Sequence, residues 1–284
     1  MIVKKIFVVG AGTMGSGITQ VAASSGFDVI INDINEQLAL AGKTKIQNSL
    51  AKLVARGKIQ QDEMDATLSR IQTSSSYEDA ADADLIIESA SENIEIKLKL
   101  FEKLSKICKN DAILASNTSS ISITSIAGAT SCTERVVGMH FFNPAPVMKL
   151  LEIVRGLQTS DETIAIAKSV GEKLGKVTVI AKDSPGFIVN RLLDPMLNEA
   201  AFLVHEGVAT PEDIDKAMVN GLNHPMGPCA LSDMIGIDVM LSIMDVFFEE
   251  YRDPKYRACP LLRQMVAAGH LGRKSGKGFF EYDK

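Results

Sequence analysis

Short apolar runs alternate with amphipathic stretches along the first two thirds of the chain. Residues 6–9 are apolar without a break, as expected of a strand buried on both faces of a parallel sheet. Comparable runs predict further strands over residues 27–33, 84–88, 112–115, 136–144, 150–154 and 177–180. Between them the pattern predicts helices over residues 14–25, 35–56, 93–108, 121–126 and 161–174, with a polar excursion and a short helix over 57–76. Such alternation is typical of a mostly parallel sheet with crossover helices.

Three glycines spaced G-x-G-x-x-G follow the first strand, in the order Gly10, Ala11, Gly12, Thr13, Met14, Gly15. The first glycine allows a tight turn, the second lets a pyrophosphate approach the backbone, and the third lets the helix pack close to the strand. The helix that follows presents its free N–H groups and positive dipole end to phosphates. This segment predicts a dinucleotide site.

A second apolar strand ends at Asp33, 18 residues after Gly15. A carboxylate at this position accepts hydrogen bonds from the adenosine ribose hydroxyls. It would also repel a 2′-phosphate, and the neighbouring Asn32, Ile34 and Asn35 are not basic. The pattern therefore favours NAD over NADP.

The pattern changes beyond Asp183, where Ser184, Pro185 and Gly186 indicate a helix start. Helices are predicted over residues 187–206, 211–220, 229–250 and 258–268, and a strand is predicted only at the aromatic tail, Phe279 and Phe280. We therefore expect a Rossmann-like α/β domain with a mostly parallel sheet over residues 1–184. An all-helical domain is expected over residues 185–284.

Composition limits the function classes. A chain of 284 residues, 46% hydrophobic and 23% charged, is long enough for two globular domains. A net charge of −5 without a basic run gives no support to nucleic-acid binding. The four scattered cysteines form no C-x-x-C pair, so neither a metal site nor a disulfide framework is expected. With no apolar run of about 20 residues and no targeting segment, we expect a soluble, cytoplasmic protein that does not bind a membrane.

Oxidation of an alcohol by hydride transfer requires a group that takes the hydroxyl proton, and histidine suits this role. His205 and His270 lie at predicted helix ends, and His224 lies in a proline-rich turn. His140 falls at the carboxyl end of a predicted strand, where this fold binds its ligand. We therefore favour His140 over His224 as the base, with a structural core histidine as the alternative. Glu152 on the next strand could orient the imidazole or be a solvated acid.

Five segments together resemble the L-3-hydroxyacyl-CoA dehydrogenase family, and more narrowly its short bacterial 3-hydroxybutyryl-CoA dehydrogenases. They are residues 10–15, 116–120, 140–148, 186–191 and 272–279. The resemblance implies NAD-dependent, reversible oxidation of (S)-3-hydroxybutyryl-CoA to acetoacetyl-CoA. It implies His140 as the general base with Glu152 as its partner, and Ser119 and Asn190 as donors to the reacting oxygen or thioester.

The same resemblance implies the ligand contacts. The glycine loop with Asp33, Glu92, Lys97, Asn117, Ser119, Asn143 and Lys274 would bind the cofactor. Ser49, Lys52 and Arg56 would meet the coenzyme A phosphates, and Lys97, Ser119 and Asn190 would also contact the acyl-CoA. A homodimer through the helical domain is implied as well. Arg56 replaces the family's common lysine, and residues 88–92 are more polar than usual.

Two alternatives differ in class. One is a dehydrogenase of a free hydroxy acid, which would not need a basic helix for a nucleotide tail. The other is a non-catalytic, crystallin-like protein that keeps the cofactor fold. The joint presence of Ser119, His140, Glu152 and Asn190 argues against the second alternative.

Overall fold

The structure, a computed structural model, describes residues 2–283. The chain divides into two compact units between Ser184 and Pro185. Among the described residues, the first unit holds every strand that belongs to a sheet, and the second is helical. The predicted fold class is confirmed.

One eight-stranded sheet organises the first unit, in the spatial order β3-β2-β1-β4-β5-β6-β7-β8. Every neighbouring pair is parallel except β6 with β7, which is antiparallel. The strands are β1 (Lys5–Val9), β2 (Asp28–Asn32), β3 (Ile71–Ser74), β4 (Leu85–Glu88), β5 (Ile113–Ser116), β6 (Val136–Phe141), β7 (Leu150–Arg155) and β8 (Val177–Lys182).

Six α-helices accompany this sheet: α1 (Thr13–Ser24), α2 (Glu36–Ala55), α3 (Gln61–Ser69), α4 (Ile94–Ile107), α5 (Ile123–Gly128) and α6 (Asp161–Lys173). Side chains cap several of them, as when Asn35 accepts a hydrogen bond of 2.9 Å from the Leu38 N–H at the start of α2. Short 3₁₀ helices lie at Tyr77–Ala80 and Thr133–Arg135.

The strand β3 was not predicted. Its sequence, Ile-Gln-Thr-Ser, has one apolar residue, and it pairs only with β2 at the edge of the sheet. An edge strand needs less apolar surface than a central strand such as β1, whose Ile6, Phe7 and Val8 are fully buried. The hydrophobic pattern therefore has no signal for it.

Over residues 185–283 the second unit contains five α-helices: α7 (Val189–His205), α8 (Pro211–Leu222), α9 (Pro228–Ile235), α10 (Ile237–Tyr251) and α11 (Pro260–Ala267). Short 3₁₀ helices lie at Pro254–Tyr256 and Arg273–Ser275. Its main apolar cluster packs Leu197 and Ala201 of α7 against Ile237, Met240 and Leu262.

Two predicted elements of this unit are wrong. The single helix expected over residues 229–250 is interrupted at Gly236, whose φ of 109° is left-handed and ends one helix before the next begins. The aromatic tail is not a strand. Instead, the N–H groups of Phe279 and Phe280 donate to the buried carboxylate of Asp233 at 2.8 and 2.9 Å, which replaces strand pairing.

Within residues 2–283, no helix has both the length and the apolarity needed to cross a membrane. The four cysteines are free thiols and all are buried.

A buried carboxyl group lies in α7. Asp194 is 2% exposed, and its Oδ2 has no hydrogen-bond partner among the described residues. Burial raises its pKa from 3.8 to about 7, because a low-dielectric environment disfavours the charged form. The folded protein therefore keeps a proton that the unfolded chain releases at a lower pH.

We predict that Asp194→Asn removes a pH dependence of stability. In the parent protein the free energy of unfolding should fall as the pH rises from about 4 to about 7 and then level off, because the folded state binds the extra proton in that window. The shift from 3.8 to about 7 corresponds to a loss of about 4 kcal/mol. Urea unfolding at pH 5 and pH 8 should show about 3 kcal/mol of this loss, because the unfolded carboxyl is already ionised at pH 5. Glu199→Gln is the control, because Glu199 is an exposed carboxylate on the same helix and its loss should leave the pH dependence of the unfolding free energy unchanged. The same unchanged pH dependence in Asp194→Asn would contradict the raised pKa of Asp194.

Candidate active site

The glycine loop joins β1 to α1 in a conformation that needs its glycines. Gly10 has a φ of 97°, and a Cβ there would lie 2.5 Å from the Ser89 carbonyl oxygen. A Cβ on Gly15 would overlap the Gly10 carbonyl oxygen, whereas a Cβ on Gly12 would meet no atom within 4 Å. Gly12 is the N-cap of α1 and has no side chain to occupy the first N–H groups. The loop therefore leaves open space and backbone donors where a pyrophosphate would bind.

Asp33 lies directly beside this loop. It follows β2, and its Oδ2 accepts a hydrogen bond of 2.7 Å from the Ala11 N–H, while its Oδ1 accepts one of 2.7 Å from the Ile34 N–H. A carboxylate is thus held at the edge of the glycine loop, where the sequence predicts the adenosine ribose. Burial and the nearby Asp33 charge raise the pKa of Tyr77 above its ordinary value, so Tyr77 belongs to the same neighbourhood.

His140 and Glu152 form a buried pair across two strands. They occupy directly opposite positions of the antiparallel strands β6 and β7, where side chains point to the same face. The His140 Nδ1 lies 2.6 Å from the Glu152 Oε2, and the two residues are 5% and 0% exposed. The Phe142 ring packs 4.5 Å from the imidazole, centroid to centroid. The carboxylate therefore fixes the orientation of the imidazole ring.

Glu92 holds the hydroxyl-rich turn that follows β5, residues 117–120. Its Oε1 accepts hydrogen bonds from the Thr118 hydroxyl at 2.6 Å, the Ser119 N–H at 3.0 Å and the Ser120 hydroxyl at 3.2 Å. Burial alone would raise the pKa of Glu92. The Lys97 ammonium and these donors outweigh burial, so the pKa of Glu92 lies below its ordinary value. Glu92 is thus an anion that shapes the turn containing Ser119.

Asn117 connects that turn to the strand of His140. Its Oδ1 accepts a hydrogen bond of 2.8 Å from the Phe141 N–H. This bond ties the end of β5 to the end of β6 next to the imidazole.

Of these groups, all but Asp33, Tyr77 and Glu152 contribute to the lining of one cleft of about 490 Å³ at the carboxyl ends of β1, β4, β5 and β6. Its lining comprises Gly12, Thr13, Met14, Ser89, Ala90, Glu92, Lys97, Asn117, Ser119, His140, Phe141, Phe142 and Asn143. The structure thus brings the glycine loop together with most of the predicted cofactor and catalytic residues.

Other predicted site residues lie elsewhere. Ser49 and Lys52 lie in the last turns of α2 and Arg56 is its C-cap residue, and Lys52 and Arg56 are exposed. Asn190 lies in the first turn of α7, in the second unit. Lys274, also in that unit, donates a hydrogen bond of 2.7 Å to Asp238. The roles of these five residues stay predictions.

The sequence analysis missed Glu88. This last residue of β4 is 0% exposed, and its carboxylate binds the Lys97 ammonium and the Ser116 hydroxyl. An acid that ends an apolar strand was a visible signal, but its partners lie nine and 28 residues away.

Comparison with models of known protein families shows to which family the chain belongs. Residues 5–184 match the model described as 3-hydroxyacyl-CoA dehydrogenase, NAD binding domain, and residues 186–282 match that of the C-terminal domain. The chain belongs to the 3-hydroxyacyl-CoA dehydrogenase family. The predicted family, the cofactor NAD and the enzyme class, an NAD-dependent 3-hydroxyacyl-CoA dehydrogenase, are confirmed.

Members of this family match the chain along its length. It is 50% identical to the probable 3-hydroxybutyryl-CoA dehydrogenase of Bacillus subtilis, over 100% of this chain and 99% of that protein. It is 48% identical to the 3-hydroxybutyryl-CoA dehydrogenase of Clostridioides difficile, over 99% of this chain and 100% of that one. The crystal structure of (S)-3-hydroxybutyryl-CoA dehydrogenase from Ralstonia eutropha matches with a TM-score of 0.98 at 48% identity, over 100% of both chains.

We predict that Gly12→Ala weakens NADH binding at least about tenfold without lowering the melting temperature. Its Cβ would meet no protein atom within 4 Å but would fill the space through which the pyrophosphate approaches the backbone. Fluorescence titration of NADH and thermal unfolding measure the two effects. Gly128→Ala in α5, whose Cβ also meets no atom within 4 Å, serves as the matched control. Parent-like NADH affinity in Gly12→Ala would exclude the loop as the pyrophosphate site.

Proposed function

We propose that this chain catalyses the reversible, NAD-dependent oxidation of (S)-3-hydroxybutyryl-CoA to acetoacetyl-CoA. The observation that carries the proposal is the buried His140–Glu152 pair, 2.6 Å between Nδ1 and Oε2, whose histidine lines the same cleft as the glycine loop. The short-chain acyl-CoA substrate is supported by the names of relatives that match the chain from end to end.

His140 acts as the general base of this reaction. Because the Glu152 carboxylate engages Nδ1, the proton of the 3-hydroxyl group passes to Nε2. The Glu152 charge then stabilises the imidazolium that forms. Bound NAD supplies the acceptor for the hydride that leaves C3. In the reverse direction His140 returns the proton to the developing alkoxide.

Ser119 contacts the substrate near its reacting carbon in this proposal. Ser119, whose N–H and hydroxyl contact Glu92 at 3.0 and 3.3 Å, donates to the reacting oxygen or thioester. The same role is proposed for Asn190. Glu92, Asn117 and Asn143 contact the cofactor in the same cleft. Ser49, Lys52 and Arg56, at the C-terminal end of α2, bind the coenzyme A phosphates.

We further infer a homodimer formed through the helical unit. Its large exposed apolar side chains, among them Leu192 at 72%, Leu222 at 65% and Phe248 at 41% exposure, supply surface for a partner. Four free thiols agree with a reducing, cytoplasmic compartment. Light scattering on the purified protein tests the dimer, and a mass equal to one chain would exclude it.

The direct test is the loss of NADH absorbance by purified protein with acetoacetyl-CoA. We expect rapid oxidation of NADH, little of NADPH, and little of either cofactor with free acetoacetate. Turnover of free acetoacetate at a comparable rate would favour the free hydroxy-acid dehydrogenase. If neither cofactor is consumed with either substrate, the chain does not catalyse the proposed reaction.

We predict that His140→Gln lowers kcat by a factor of about 10² to 10⁴ and leaves the Kd for NADH nearly unchanged. Glutamine can occupy the imidazole site but cannot take up a proton. Stopped-flow turnover and NADH titration measure the two quantities. His224→Gln, which alters a histidine outside the cleft lining, should keep parent turnover, and a reversed pattern would make His224 the base.

We predict that Lys52→Gln/Arg56→Gln raises the KM for acetoacetyl-CoA about tenfold and leaves the KM for NADH unchanged, because two exposed cations that meet phosphate are removed. Steady-state kinetics measure both constants. The matched control is Lys106→Gln/Lys168→Gln, which changes net charge equally but removes lysines that pair with a glutamate one helical turn away. An unchanged KM for acetoacetyl-CoA would remove α2 from the substrate site.

A further inference from the structure

A buried ion pair lies directly beneath the cleft. The Lys97 ammonium, on α4, contacts both carboxylate oxygens of Glu88 at 2.7 and 2.6 Å, and the two side chains are 2% and 0% exposed. Lys97 lines the cleft, whereas Glu88 at the end of β4 does not. Every oxygen of Glu88 is engaged, since Oε1 also accepts from the Ala90 N–H at 2.8 Å and Oε2 from the Ser116 hydroxyl at 2.7 Å.

The two carboxylates near Lys97 lie at different distances from its ammonium group. A second carboxylate, Glu92, has its Oε2 3.5 Å from the ammonium, but its Oε1 is occupied by the donors of the hydroxyl-rich turn. Glu88 is therefore the main counter-charge. Without it, a nearly fully buried cation would face the cleft with only the more distant Glu92 Oε2 as its counter-charge.

A cation in this position would discriminate between the two forms of the cofactor. The oxidised nicotinamide ring has a formal positive charge and the reduced ring is neutral, while the rest of the dinucleotide is the same in both forms. Hydride transfer to a carbon beside His140 requires the ring to lie in this cleft. The ratio of the dissociation constants for NAD⁺ and NADH therefore reports the local charge and cancels contacts that both forms share.

We propose that Glu88 is a positioning and charge-balancing residue that neutralises Lys97 and so lets the cleft accept the oxidised, positively charged nicotinamide. The inference rests on the proposed function only for the location of the ring beside His140. It gives Lys97 a role besides ligand contact, since this lysine and Glu88 form one neutral unit. The link from Glu88 to Ser116 also connects this unit to the strand end from which Asn117 and Ser119 follow.

The test measures the Kd for NAD⁺ and for NADH by calorimetry, without any acyl-CoA. Glu88→Gln keeps the shape of the side chain but leaves Lys97 with only Glu92, at 3.5 Å, as a counter-charge, so Kd(NAD⁺)/Kd(NADH) should rise about tenfold. Lys97→Met leaves an uncompensated carboxylate, so the same ratio should fall. The double variant Glu88→Gln/Lys97→Met removes both charges and should restore the parent ratio, even where both affinities are lower.

Asp84→Asn is the matched control. Asp84 precedes β4 at the opposite end from Glu88 and pairs with Lys109, so its loss also breaks a carboxylate–lysine pair on this strand. Its ratio should equal that of the parent, and thermal unfolding shows which variants fold. If Glu88→Gln does not fold, the fall in Lys97→Met and the restoration in the double variant decide the question.

Equal changes in both dissociation constants, or shifts of the same sign in the two single variants, would overturn the proposal and leave Glu88 a structural residue. These binding ratios are independent of the oxidation of NADH by acetoacetyl-CoA. If the ratio shifts in opposite directions in the two single variants but acetoacetyl-CoA is not reduced, only the proposed substrate is wrong. If acetoacetyl-CoA is reduced but the ratio does not shift, only the proposed role of Glu88 is wrong.

Discussion

Parallel strands end at a common edge of their sheet, and the cleft of this protein depends on that constraint. Four segments that are far apart in the chain form it: the glycine loop after β1, residues 88–92 at the end of β4, the hydroxyl-rich turn after β5, and the segment that begins at His140 near the end of β6. They meet because β1, β4, β5 and β6 are adjacent and parallel. The hydrogen bond from the Phe141 N–H to Asn117 and those from the turn to Glu92 then fix the loops relative to one another.

The one antiparallel pair of the sheet decides which acid meets the histidine. In β6 and β7, opposite positions place His140 against Glu152, so their side chains leave the same face at close range. A shift of one residue in this register would turn the Glu152 side chain to the other face of the sheet. The proposed proton transfer therefore depends on strand pairing as much as on the identity of the two residues.

Buried ionisable groups have different surroundings in the two units. In the sheet unit Lys97 and Glu88 are paired with short, bidentate geometry, and Ser116 and Ala90 satisfy the remaining oxygen positions. Such a pair is weak evidence for stability, because desolvation offsets the attraction, and its place under a ligand cleft indicates a functional reason. In the helical unit Asp194 lacks such a counter-charge, and its raised pKa follows from burial alone.

The sequence by itself determined the features that arise from local physics. Strand and helix periods, the glycine turn, Asp33 after the second strand and His140 at a strand end are local patterns, and from them the fold class and the NAD cofactor followed. The resemblance added Glu92, Lys97, Ser119 and Asn190, which periodicity does not single out. Only the tertiary structure decided the edge strand β3, the break at Gly236, the capture of the aromatic tail by Asp233 and the pairing of Glu88 with Lys97. Each of these depends on sheet position, on a backbone angle or on a partner distant in sequence, and none of these leaves a mark in the hydrophobic pattern.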